Sequence, residues 1–337
     1  MRTASTRAHR RTALTAALLT TLAVIPLIAA PVAARQPSGA AYWTSERLAN
    51  AKPRDFIRTA DGTYEQAKAR PERGKPGTGT GNVTGASWTL GGRIDSASGK
   101  VWFTMDGSDW VCSAAVVDDA DANRSLVITA AHCAYDEVEE AFATNWTFIP
   151  DFDANPTYTC TQNLYGCWEA EALVVHDGYA SAGGFNDEAV KHDFAVAVVG
   201  GGTRNGGQLD AIGGTGTNDF QIAYNATYGT NPLYSFGYPA SGKYKGRDLV
   251  YCKGPLGTDP QVQNATWSMP CNMTGGSSGG PWLSGFSEST GIGTLGSLNS
   301  YGYSGSAVMY GPKFNDDTQL VVNTARTTPF GTDRIVQ

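Results

Sequence analysis

Short apolar runs separated by turn residues dominate the chain from residue 101 onward. Runs at 101–105, 111–117, 126–130, 146–150, 172–176 and 194–199 are rich in Val, Ile, Phe and Trp and are bounded by Gly, Asn, Asp or Pro. Runs this short suit strands, because a helix needs a longer window to display an apolar face. A second set lies at 221–224, 233–238, 249–252, 281–283, 293–299 and 307–310, and the sequence has 41 glycines to supply turns. The expected fold is therefore all-β. Two groups of about six strands suggest two similar barrels, the first about residues 95–205 and the second about 217–315, joined across the glycine-rich stretch 200–216. No long helix is called for before the C-terminus.

Before residue 81 the pattern is different. Residues 1–34 carry Arg2, Arg7, Arg10 and Arg11 with no acid, then small apolar residues, then Val32-Ala33-Ala34. This layout describes a secretory signal peptide cleaved after Ala34. Pro26 and Pro31 interrupt an apolar run that falls short of the ~20 residues a membrane span needs. The residues after Arg10-Arg11 match a twin-arginine signal poorly, so ordinary secretion to the extracellular space is expected, with no membrane partner after cleavage. Residues 35–82 carry prolines at 37, 53, 71 and 76 and the string Gly77-Thr78-Gly79-Thr80-Gly81. Polar and without clear period, they predict a pro-segment or leader outside the core, with at most a short helix within 42–70. The domain proper is then 83–337.

Charge narrows the partners. Of 25 Lys+Arg and 31 Asp+Glu, 13 and 5 precede residue 81, which leaves 12 against 26 and a net charge of −14 on residues 81–337. Such a surface repels phosphate backbones, so nucleic acid is not an expected partner. Six cysteines, Cys112, Cys133, Cys160, Cys167, Cys252 and Cys271, all come after residue 100. An even count in a secreted chain implies disulfides. Many connectivities are open, and sequential pairing is the expected one. No CxxC pair supports zinc. The acidic turn Asp118, Asp119 and Asp121 lacks the spacing of a calcium loop and reads as solvated. Neither metal nor cofactor is called for.

Candidate chemistry centres on residues 275–281, Gly275-Gly276-Ser277-Ser278-Gly279-Gly280-Pro281. Glycines here let a substrate approach main-chain N–H groups beside an exposed serine, although a flexible linker has the same composition. Two upstream residues decide between them. Thr129-Ala130-Ala131-His132-Cys133 places a histidine at a strand end, suited to a general base. Lys191-His192-Asp193-Phe194 places an acid directly before a buried strand, where a carboxylate needs a partner such as an imidazole N–H.

In that order, TAAHC, HDFAVAVV and GSSGGP resemble the trypsin-like (chymotrypsin-fold) serine proteases over about residues 95–315. The secreted bacterial branch near the V8-like glutamyl endopeptidases is most similar, through 299–303 and 309–312. The resemblance implies two six-stranded antiparallel barrels with the active site between them. It also implies His132 as base, Asp193 as its orienting acid, Ser278 as nucleophile, and the N–H groups of Gly276 and Ser278 as an oxyanion hole. A Cys112–Cys133 bridge matches the family's disulfide beside the histidine. Although 276–280 also satisfies G-x-S-x-G, α/β-hydrolases place their histidine after the serine, and none comes after Ser278. Subtilisins place the acid before the histidine.

Two positions depart from the pattern. Ser277 stands where digestive members carry the Asp that pairs with a freed N-terminal amine, and no Ile-Val-Gly-Gly start is present. Activation by removal of a pro-segment, as in V8-like enzymes, is expected instead. Asn272, six residues before Ser278, stands at the floor of the primary pocket, and residues 295–299 contain no histidine. A neutral pocket built from Asn272, Met273, Ser297 and Asn299 is expected to prefer uncharged P1 side chains. His176 has the place of a strand end preceding the acid loop. The expected protein is a monomeric secreted serine endopeptidase acting on proteins or peptides. The rival is a catalytically silent homologue that binds protein through the same cleft, but its usual mark, a missing triad residue, is absent.

Overall fold

The computed structural model describes residue 1 and residues 41–67, 81–119, 121, 123–153, 160, 162–202, 208–212 and 218–337. The expected signal peptide lies outside them apart from Met1. So do residues 35–40 and 68–80 of the expected leader and parts of the 200–216 crossing. No helix among the described residues is long and apolar enough to cross a membrane.

Residues 41–67 do not lie outside the core, where a leader is expected. Helix α1 (Ser45–Asn50) is capped by the Thr44 side chain and is succeeded by strands β1 (Lys52–Pro53), β2 (Phe56–Arg58) and β3 (Tyr64–Gln66). Trp43, Arg54, Asp55 and Phe56 are buried. Trp43 Nε1 donates to Asn145 O at 2.7 Å, and Trp102 Nε1 donates to Leu48 O at 3.3 Å. Edge pairing and a few anchors hold this stretch, and neither produces a hydrophobic period.

After β4 (Val83–Ser87) and the short helix α2 (Arg93–Ala97) come β5 (Ser98–Met105), β6 (Ser108–Val117) and β7 (Ser125–Thr129). A small ribbon, β8 (Tyr135–Asp136) and β9 (Ala141–Phe142), precedes β10 (Thr144–Pro150), β11 (Trp168–His176) and β12 (Ala195–Val199), with the one-turn helix α3 (Asp177–Ala180) after β11. Strands β6-β5-β10-β11-β12-β7 form a ring, closed where Ala115–Val117 pair antiparallel with Leu126–Ile128. All six were legible as apolar runs. Val101, Phe103, Leu126, Ile128, Phe148, Val174, Val196 and Val198 are buried in this barrel, each contributing about 1.5–3 kcal/mol for a large side chain.

The second half departs from a closed barrel. Strands β13 (Leu233–Gly237), β14 (Val250–Gly254), β15 (Gly257–Thr258), β16 (Thr266–Pro270), β17 (Pro281–Ser287), β18 (Ile292–Leu298), β19 (Tyr301–Tyr303) and β20 (Val308–Pro312) divide into two sheets. One runs β18-β17-β13-β14-β4 and the other β15-β16-β20-β19-β2-β3. Cys252–Cys271 and the Ser300 N to Tyr310 O bond, 2.9 Å, tie the two together. The ring stays open between β14 and β16, where β4 takes the outer edge of β14, while β2 adds to the edge of β19. The run at 221–224 makes only an isolated bridge, Ile222 to Leu295.

All three disulfides are sequential: Cys112–Cys133, Cys160–Cys167 and Cys252–Cys271. Helix α4 (Asp316–Thr327) starts at a capping box in which Asn315 Oδ1 accepts from the Asp317 and Thr318 amides. Its buried face, Thr318, Val321, Val322 and Ala325, packs on β11 and β12. The last strand, β21 (Arg334–Val336), pairs parallel with β11.

Lys100 is buried in this frame. Lys100 Nζ donates to Gly246 O at 3.1 Å and sits 4.6 Å and 4.5 Å from the ring centroids of Trp102 and Phe152. Burial pushes its pKa from 10.5 down to about 7. The unfolded chain therefore holds the extra proton between those values, so the lysine costs stability increasingly as pH falls through that window, and uniformly below it. Lys100→Met is expected to raise stability by ~1–3 kcal/mol at pH 6 and by little above pH ~10.5, read from Tm against pH. A Tm gain independent of pH contradicts this account.

Candidate active site

Strand β7 ends at Thr129, and a single 3₁₀ turn, Ala131–Cys133, carries His132, pinned to β6 by Cys112–Cys133. Asp193 stands just before β12, which pairs with β7, so the two side chains meet. His132 Nδ1 lies 2.8 Å from Asp193 Oδ2, and the His132 amide donates to Asp193 Oδ1 at 2.9 Å. Both residues are fully buried. A buried carboxylate needs saturation, and Ser300 Oγ supplies a third donor to Asp193 Oδ2. With Nδ1–H given to the carboxylate, the ring's Nε2 keeps its lone pair. No hydrogen bond from the described residues engages Nε2. Ser300 escaped sequence reading; its signal was a serine directly after the supposed pocket wall, with no chemistry of its own.

Ser278 sits in a loop held from below. Ser113 N donates to Ser278 O at 2.7 Å, and Ser113 Oγ donates to Gly276 O at 2.8 Å. Gly276 has φ +94°, and a Cβ there would come within 2.8 Å of Ala240 Cβ and 2.9 Å of Tyr238 O, so only glycine fits. The amides of Gly276 and Ser278 donate to no group among the described residues. Ser277 differs from its neighbour: its Oγ donates to Thr274 O at 2.8 Å.

The expected pocket residues separate. Asn272 is half-buried; its Oδ1 accepts from Tyr244 Oη at 2.5 Å and its amide donates to Thr84 O at 3.3 Å. Met273 is fully buried. Ser297 and Asn299 are not pocket walls but internal braces, a correction to the sequence reading. Ser297 Oγ donates to Pro312 O, while Asn299 donates to Phe236 O and Ser277 O and accepts from Ser235 Oγ and Trp282 Nε1. Every polar atom of the Asn299 side chain is thus spent inside the fold.

The remaining candidates lie elsewhere. His176 and His192 stack at 4.7 Å, with their Nε2 atoms 3.8 and 3.2 Å from Asp317. Desolvation, and then the neighbouring His192, lower the pKa of His176. Asp118 pairs with Arg326, and Asp121 with Arg124. Cys112, His132 and Cys133 cluster tightly enough for a cation, but both sulfurs are spent on their disulfide.

No family model matches the chain, and no curated protein does. Solved structures do. Serine protease AL20, a thermostable enzyme from an extremophilic microorganism, is 36% identical with a TM-score of 0.59; the match covers 70% of this chain and 100% of that one. Protease Anisep from Arthrobacter nicotinovorans is 37% identical with a TM-score of 0.60, over 73% of this chain and 100% of its own. An inactivated protease paralogue of the scabies mite, 10% identical at a TM-score of 0.50 over 72% of this chain and 100% of its own, shares the fold alone. Identity above a third with serine protease AL20 and with protease Anisep, each matched along its whole length, together with the three motifs in their order, shows that the chain belongs to the chymotrypsin-fold serine proteases.

Proposed function

We propose that the protein is a secreted serine endopeptidase in which Ser278, His132 and Asp193 form the triad. Ser278 Oγ attacks the peptide carbonyl while His132 Nε2 takes its proton. The amides of Gly276 and Ser278 hold the oxyanion, each worth about 2.7–4 kcal/mol in comparable sites. His132 then protonates the leaving amine, and water, activated by the same nitrogen, releases the acyl group. Asp193 holds the imidazole in the tautomer that leaves Nε2 basic. The observation that carries this reading is the fully buried Asp193 carboxylate, bonded at once to His132 Nδ1, the His132 amide and Ser300 Oγ. A carboxylate so completely committed to orienting one imidazole favours a working base over a silent binding cleft. The Ser278–His132 hydrogen bond is not made here, and such bonds often tighten only with substrate in place.

Three disulfides and the basic, then apolar, N-terminus support secretion. Removal of residues 35–82 would yield a mature monomer of residues 83–337. Asn272, engaged by Tyr244, brings neither a positive nor a negative charge to the primary pocket. An uncharged P1 side chain is therefore expected from cleavage profiling on a peptide library. A strong preference for Arg, Lys or Glu rules out the neutral pocket.

A further inference from the structure

We infer that residues 52–67 are an inhibitor built into the chain, lying in the substrate groove with reversed polarity; this rests on the peptidase reading above and names its regulation. The segment crosses the whole site. Strand β1 lies parallel on β6, with Lys52 opposite Trp110 and Pro53 opposite Val111, and the Arg54 amide donates to Val111 O at 3.3 Å. Further along, β2 lies parallel on β19, with Phe56 opposite Tyr301 and Ile57 opposite Gly302. Between these strands the chain rests on the nucleophile loop: a Cβ on Gly275 would come within 2.9 Å of Asp55 Cβ and 3.0 Å of Pro53 Cβ. The Phe56 ring meets the His132 ring edge-on at 5.4 Å and stacks on Phe185 at 4.0 Å. His132 is left 0% exposed and Ser278 2%, closures that no incoming peptide could pass.

Arg54 fastens the strap. Its Nε donates to His132 O at 2.7 Å, and its guanidinium lies 3.6 Å from Asp136 and 3.8 Å from Glu137. These pairs are buried, so water screens them little. Strand β3 folds back on β2, and the Ala67 amide closes the hairpin on Asp55 O at 2.9 Å.

Polarity explains how a peptide can sit in a peptidase uncut. A substrate's acyl half must lie beside Asn272–Gly276 and β19, in the second half of the fold. Its leaving amine must face His132, which β7 and Cys112–Cys133 fix to the first barrel. Read from N- to C-terminus, a substrate therefore passes from β19 toward β6. Residues 52–58 pass from β6 toward β19. A carbonyl of the reversed strand that reached Ser278 would turn its nitrogen away from His132, so no protonated amine could leave.

The test compares the rate of fluorophosphonate labelling of the intact full chain with that of the chain cut within 68–82 and freed of its N-terminal fragment. Intact mass verifies each state. The intact chain is expected to label slower by roughly tenfold or more, and Phe56→Ala with Ile57→Pro, which removes the ring on His132 and a β2 amide, to recover most of the difference without cleavage. Should that variant misfold, a synthetic peptide of residues 50–67 decides: it is expected to inhibit the cut enzyme competitively and to be recovered whole. Equal labelling of intact and cut chains overturns the inference and leaves the peptidase reading standing, as does hydrolysis of the peptide between residues 53 and 58. Failure of the cut chain to label defeats the peptidase reading and the inference with it.

Discussion

Ser278→Ala is expected to lower peptide turnover by the processed enzyme by about 10⁶ while leaving Tm unchanged. The two halves of that result have separate causes. Without the nucleophile no acyl-enzyme forms, and the oxyanion donors and binding groove alone retain only a modest acceleration over water. Stability is spared because the Ser278 hydroxyl makes no hydrogen bond among the described residues; the loop is held by its carbonyl, through Ser113, and by Gly276. Ser277→Ala should do the reverse. It deletes a bond to Thr274 O and costs on the order of 1 kcal/mol, with turnover retained. Kinetics and thermal melts on the two variants check the assignment of adjacent serines. A turnover loss at Ser277 that matched the loss at Ser278 would defeat it.

Asp193→Asn is expected to reduce turnover by about 10⁴. An amide in place of the carboxylate can offer its NH₂ to Nδ1, which favours the tautomer with the proton on Nε2, the wrong place for a base. The imidazolium formed during attack also loses its counter-charge. Ser300→Ala acts on the same carboxylate at one remove, so it should cost about 10–100-fold and shift the pH–rate profile while leaving KM nearly unchanged. An Asp193→Asn enzyme within tenfold of wild type would mean that another acid serves the histidine.

Much of this arrangement was legible because the chemistry hangs on strand ends. His132 comes just after β7 and Asp193 just before β12, two uninterrupted apolar runs that pair with each other, so their proximity is implied once the first barrel is drawn. The same continuity made all six strands of that barrel readable. Strands β4, β16 and β19 were not, since VTGAS, TWSMP and YGY mix glycine, proline and polar residues and owe their form to neighbours, not to an apolar period. Ser297 and Asn299 were misassigned for a related reason: an Asn that braces a core through four hydrogen bonds and one that faces a ligand are the same letter. Residues 41–67 hid most completely. Their composition is that of a tether, and only the free edges of β6 and β19 turn them into strands.

The claim that Ser278 is an activated nucleophile is tested most directly by treating the processed chain with a fluorophosphonate and locating the adduct by peptide mass spectrometry. One adduct is expected, on Ser278 Oγ, and none on Ser278→Ala. No adduct on correctly folded, processed chain, or an adduct on Ser277 instead, would contradict the account.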